Sequence, residues 1–225
     1  MPLQIDRIRA LCFDIDGTLS DTDDVYVQKI ARWLRPGRAL LPDKDEYHLA
    51  RRMIMALETP GNILHGYSDR LGLDGLLARW NDYMIERGWQ RLKTKYILMQ
   101  GVRELLVDLQ PLFPLAIVSS RGELTARAFL EQHELTHFFQ VIVAGQTVQH
   151  TKPFPDPIQY AARHMRIPPE NCLMIGDTTV DILAGKAAGA QTVGVLCGFG
   201  ESEELKNAGA NLILNTTAEL AQVLL

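Results

Sequence analysis

The sequence predicts an α/β fold, a parallel sheet wrapped by helices and interrupted after its first strand by an all-helical insert. Three observations carry that reading. An apolar run over 8–13 has the length of a buried strand and stops abruptly at Asp14 and Asp16. From Leu19 to about Tyr96 strand-like runs vanish, and apolar residues recur at helical spacing. Beyond Gly101, short apolar runs alternate with helical segments, as they do when crossover helices join parallel strands.

Each element follows from local pattern. In the insert, Val27, Ile30, Ala31 and Leu34 mark a helix over 23–34 that Pro36-Gly37 stops. Tyr47, Ala50, Ile54 and Leu57 mark a second over 43–57, and residues 59–62 form a turn. Leu77, Trp80 and Met84 mark a third over 74–87. After the insert come a short helix over 103–110, a strand over 115–120 and a helix over 123–132. A strand over 141–143, a helix over 157–165 and a strand over 172–175 continue the alternation. A helix over 179–188 closes on Gly189, a strand covers 192–196, and a helix, a strand and a helix finish the chain. The core is therefore a Rossmann-like parallel sheet built from 1–19 and 97–225, with 20–96 as a helical cap.

Composition excludes several classes. With 225 residues, 47% hydrophobic and 22% charged, the chain has material for a proper core. A net charge of −4 argues against a nucleic-acid surface, whose footprint would be basic. No apolar stretch has the length of a membrane span, and the first residues lack the basic and apolar segments of a signal peptide. Cys12, Cys172 and Cys197 read as reduced thiols of a cytoplasmic protein.

The chemistry gathers at strand ends. Two carboxylates two positions apart, closing a buried strand, are costly unless a positive charge offsets them. A divalent cation held by hard oxygens does that. Asp-x-Asp-Gly is also ordinary turn chemistry, but Asp177 and Asp181 form a second acidic pair just after another apolar run. Open α/β sheets bind ligands beyond the carboxyl ends of their strands. There Ser119 and Ser120 end one strand, and Lys152 follows another. Carboxylates, a metal, a hydroxyl and a lysine make a phosphoryl-transfer set.

At these residues the chain resembles the haloacid dehalogenase superfamily. Phe-Asp-Ile-Asp-Gly-Thr-Leu, Val-Ser-Ser, Thr-Lys-Pro-Phe-Pro-Asp-Pro and Gly-Asp-Thr-Thr-Val-Asp are similar to its four motifs, in order. The insert resembles that superfamily's α-helical cap of the first type, and residues 194–205 resemble the phosphoglycolate-phosphatase-like branch. The resemblance implies that Asp14 is the nucleophile and Asp16 the acid and base. It implies that Ser119, the Ser120 backbone and Lys152 bind phosphate. It places Mg²⁺ on the Asp14 and Asp177 carboxylates and the Asp16 carbonyl, with Asp181 orienting metal-bound water. Relatives that cleave phosphonates or carbon–halogen bonds lack an aspartate at the position of Asp16, so its presence points to phosphoesters. The expectation is a Mg²⁺-dependent phosphatase acting on a small phosphorylated metabolite in the cytoplasm. The alternatives are a phosphomutase of the β-phosphoglucomutase type and a non-catalytic phosphometabolite-binding protein.

Other patterns are weaker. His133-Glu134-Leu135-Thr136-His137 fits a zinc-protease motif, but it lies where a helix ends and a turn begins, so its histidines would not share a face. Gly198-x-Gly200 lacks dinucleotide spacing and reads as a loop. Arg51 and Arg52 read as a solvated helix face, and Trp33, Trp80 and Trp89 as cap core. Residues 48–52 and 59–62 are the cap's candidates for substrate contact.

Overall fold

The computed structural model describes residues 2–21, 32–35, 73–89 and 96–225. Strand β1, Ala10–Phe13, is buried at every position. A strand without a solvent face belongs in the middle of a sheet covered on both sides. It lies there, between β2, Leu115–Val118, and β4, Cys172–Gly176. With β3, Val141–Val143, β5, Gln191–Val195, and β6, Leu212–Leu214, the order is β3-β2-β1-β4-β5-β6, all parallel.

The two faces of the sheet are packed differently, because side chains alternate along each strand. Leu11, Phe13, Leu115, Ile117, Leu173 and Ile175 point to a face lined by large residues. Two helices cover it: one over Val102–Leu109, burying Val102, Leu105, Leu106 and Leu109, and one over Glu123–Gln132, burying Ala126, Phe129 and Leu130. The alternate positions, Ala10, Cys12, Ala116, Val118, Cys172 and Met174, are smaller. They meet the helix Asp156–Met165, whose Ile158, Ala161, Ala162 and Met165 recur at i, i+3, i+4 and i+7. The helix Thr179–Ala187 adds Ala184 on that side.

In chain order the helices are α1, Leu73–Glu86; α2, Val102–Leu109; α3, Glu123–Gln132; α4, Asp156–Met165; α5, Thr179–Ala187; α6, Ser202–Ala208; and α7, Ala221–Leu224. The expected elements of the core all form, within a residue or two of their predicted ends. Gly189 takes the left-handed conformation just past α5 (φ 83°), which is the helix-stop geometry the sequence implied. No helix of the described residues is long and apolar enough to cross a membrane.

The segments 19–21 and 97–99, which flank the expected insert, run side by side. Ser20 bridges antiparallel to Leu98, the Asp21 N–H donates to the Ile97 carbonyl at 2.9 Å, and the Met99 N–H to the Leu19 carbonyl at 2.9 Å. Helix α1 is the third helix expected in the insert. The helix over 43–57, the turn at 59–62 and most of the helix over 23–34 lie outside the described residues, as do Arg51 and Arg52.

Candidate active site

The strand order turns around between β1 and β4, whose following segments leave in opposite directions; such a switch point opens a crevice at the carboxyl ends. Asp14 stands at its edge. Its N–H donates to the Ile175 carbonyl at 2.9 Å, continuing the ladder by which Phe13 pairs with Ile175. Asp177 comes one residue after β4. The two acidic motifs are therefore neighbours in space because their strands are neighbours in the sheet.

Lys152 joins this pair from the loop after β3. Its Nζ donates to Asp14 Oδ1 at 2.8 Å and to Asp181 Oδ1 at 2.6 Å, with all three side chains buried. Asp181 has a second task. Its Oδ2 accepts from the Thr178 N–H at 3.1 Å, one half of the capping box that opens α5, whose other half is the Thr178 side chain accepting from the Asp181 N–H. The same Oδ2 also accepts from Thr178 Oγ1 at 2.7 Å. The helix start thus fixes the carboxylate that fixes the lysine. Burial pushes the Asp14 carboxyl up to about 7, against the pull of Lys152 and helped by the neighbouring Asp181 and Asp16. Burial alone would lower the Lys152 ammonium, but Asp14 and Asp181 outweigh it and raise its pKa.

Asp177 is held by backbone. Its Oδ2 accepts from the Phe199 N–H at 2.8 Å. A Cβ added to Gly17 or Gly198 would collide with that carboxylate, and one at Gly200 with the Asp177 carbonyl. Gly17 also has φ 69°, a conformation side chains resist. The Gly198-Phe199-Gly200 loop, which carries no dinucleotide spacing, thus forms a cradle for an acidic side chain. Sequence reasoning did not find this role.

Asp14, Asp177 and Asp181 each offer a carboxylate oxygen within 4.8 Å of the others, all buried. With Asp16 they formally carry four negative charges against the two positive charges of Lys152 and Arg121. Hard oxygens with a negative surplus, one of them pushed up toward neutrality, fit a divalent cation such as Mg²⁺.

Asp16 faces elsewhere. Both of its oxygens are taken by Arg121, through Nε and Nη2, in a two-pronged ion pair. Burial would lower the Arg121 guanidinium, but Asp16 more than reverses that. The guanidinium carbon lies 5.1 Å from the centre of the Tyr96 ring and 5.8 Å from that of Phe129. Arg121 was missed by the sequence reading, although its place directly after Ser119-Ser120 was the available signal. Ser119 is buried at the end of β2, its N–H donating to the Val143 carbonyl at 2.9 Å and its Oγ accepting from the Arg121 N–H at 3.3 Å. Ser120 is exposed.

Helix α3 ends at Gln132 and Glu134 is left-handed (φ 52°), so His133 and His137 do not share a helix face. His133 instead contacts the Tyr96 carbonyl, and His137 packs on Phe138. The tryptophans correct the expectation of a cap core. Trp33 is 78% exposed, Trp80 62% and Trp89 70%, and Trp89 touches Tyr83 edge to face. Helical spacing located Trp80 on a face without telling which face is covered.

The chain is similar to known proteins over nearly its whole length. A sequence model of the haloacid dehalogenase-like hydrolases matches residues 11–195. A phosphoglycolate phosphatase of Colwellia psychrerythraea is 28% identical over 225 residues, covering 97% of each chain. The pyrophosphatase PpaX of Anoxybacillus flavithermus is 27% identical over 232 residues, again covering 97% of each. A hydrolase from Pseudomonas syringae superposes with a TM-score of 0.65 at 26% identity, over 96% of this chain and 97% of that one.

Proposed function

The chain belongs to the haloacid dehalogenase-like hydrolase family, and on that premise we propose that it is a Mg²⁺-dependent phosphatase of small phosphorylated metabolites, working through an aspartyl-phosphate in the cytoplasm. The observation that carries the reading is the Lys152 ammonium shared by Asp14 and Asp181 beside Asp177. A buried carboxylate at a strand end, with a cation on one oxygen, is a nucleophile held still.

In this reading an Asp14 oxygen attacks phosphorus, and the bond to the leaving oxygen breaks. Asp16 gives that oxygen its proton. Asp16 then takes a proton from water as the water oxygen attacks the acyl phosphate, which frees inorganic phosphate and restores Asp14. Lys152 and Ser119, with the Ser120 N–H, bind the phosphoryl oxygens. Asp14, Asp177 and the Asp16 carbonyl would hold Mg²⁺, with Asp181 behind them; when bound, the ion offsets charge on the phosphoryl group. Residues 20–96 act as a cap on the core of 1–19 and 97–225, and the paired segments at Ser20 and Leu98 are its hinge. Relatives named for phosphoglycolate and for pyrophosphate support a small substrate.

The test is phosphate release from phosphoglycolate, pyrophosphate, nucleotides and sugar phosphates, with Mg²⁺, with EDTA, and with Mg²⁺ restored. Activity lost to EDTA and regained with Mg²⁺, together with phosphate trapped on Asp14, supports the reading. Turnover by Asp14→Asn within about tenfold of wild type, a difference of about 1.4 kcal/mol, sinks the aspartyl-phosphate route.

A further inference from the structure

We propose that Arg121 is a specificity-determining and positioning residue that reads a second anionic group on the leaving-group side of the substrate and, in binding it, releases Asp16 for catalysis. This rests on the phosphatase reading above and narrows its substrate class to phosphoesters or phosphoanhydrides with a charged leaving group.

The geometry sets out the exchange. Nε and Nη2 of Arg121 occupy both oxygens of Asp16, the group assigned to the leaving oxygen. While the fork is closed, both oxygens of that carboxylate are engaged by the guanidinium. Nη1, the third nitrogen, is buried and makes no hydrogen bond to any described residue. A desolvated guanidinium nitrogen without an acceptor is a standing preference for another anion. The side chain itself is 12% exposed and lies over the Tyr96 and Phe129 rings, so it has little freedom to swing into water. Its backbone is tied as well, by its N–H to Ser119 Oγ at 3.3 Å and by the Gly145 N–H to its carbonyl at 2.7 Å. Arg121 therefore sits rigidly beside the phosphate-binding serine, on the Asp16 side.

Lys152 is not a candidate for this task, because Asp14 and Asp181 already engage it. Carboxylate and phosphate both present the paired oxygens that an arginine fork accepts. Either one on the leaving group competes with Asp16 for Arg121. A neutral leaving group offers no competitor and leaves the fork closed.

Three probes separate the outcomes: phosphoglycolate with a carboxylate leaving side, pyrophosphate with a phosphate leaving side, and ethyl phosphate with neither. Wild-type protein with Mg²⁺ should prefer one charged probe over ethyl phosphate in kcat/KM. Arg121→Ala should lower that preference by about 100-fold, and Arg121→Lys by about tenfold, because lysine keeps charge but not the fork. The charged probe with the larger loss identifies the anion. A ratio measured on one sample does not depend on the fraction folded, and Arg121→Lys serves should Arg121→Ala not fold. Equal losses on all three probes, or a wild type without preference, overturn this inference alone. Release of phosphate from none of them by wild type overturns the phosphatase reading and this inference together.

Discussion

Asp14 and Asp16 are the same residue two positions apart on one turn, yet their surroundings are opposite. Asp14 is buried, anchored by backbone to β4, and shares one ammonium with Asp181. Asp16 keeps 31% of its side chain exposed and lies in the grip of an arginine on the neighbouring loop. In the proposed mechanism the nucleophile gains from immobility, whereas the group that must give and take a proton gains from a partner it can leave. Identity of side chain says nothing of this division; the partner and the burial do.

The largest expected effect tests the immobile half. Asp14→Asn should lose roughly four or more orders of magnitude in kcat, since no other described carboxylate holds its place. Asp16→Asn should cost roughly 10²–10⁴-fold, the range of a general acid–base group. The two variants separate in a second readout: phosphate transferred to protein should still appear in Asp16→Asn and be absent in Asp14→Asn. Transfer in neither, with both folded, would mean that Asp16 serves the first chemical step too strictly for the division drawn here.

Next comes stability. Lys152→Met leaves Asp14 and Asp181 buried without their ammonium, and breaking one side of a buried ion pair costs about 3–5 kcal/mol. Urea unfolding of the metal-free protein measures it. Asp177 allows a finer test through its cradle. Gly198→Ala drives a methyl into the carboxylate and should weaken Mg²⁺ by about 10–100-fold, read as a shift in the Mg²⁺ needed for half-maximal activity. An unchanged requirement would detach Asp177 from the metal.

Much of this was legible in the sequence, and the reason is local. Strand ends are marked by an apolar run meeting a polar residue, so Asp14, Ser119 and Asp177 could each be placed on a strand terminus, and the sheet order then joins them. Partner choice is not local. That Asp181 rather than Asp177 shares Lys152, that Arg121 takes Asp16, and that Gly198 shapes the bed of Asp177 all depend on how loops from distant positions meet. The tryptophans failed for a related reason: helical spacing shows that a face exists, and only packing shows whether it is covered.

The smallest expected effect concerns the join between insert and core. Helix α3 begins after Gly122, which has no side chain to cap it. The missing cap comes from α1: Asp82 Oδ2 accepts from the Leu124 N–H at 3.3 Å and from Gln146 Nε2 at 2.6 Å, and Asp82 is itself buried. A carboxylate at a helix start satisfies an orphan N–H and meets the positive end of the dipole. Gly122 is required for this, because a Cβ there would strike the Asp82 carboxylate. Arg121 immediately precedes Gly122, so the same contact steadies the loop that grips Asp16. Asp82→Ala should therefore cost about 1 kcal/mol, a fall of roughly 2–4 °C in Tm for a chain of this size. Asp82→Asn, which keeps an acceptor oxygen, should cost less. Thermal unfolding of the three proteins side by side is enough to decide. Equal melting temperatures for wild type and Asp82→Ala would mean that α1 does not rest on α3 in solution, and that the Asp82 contact does not steady the loop of Arg121.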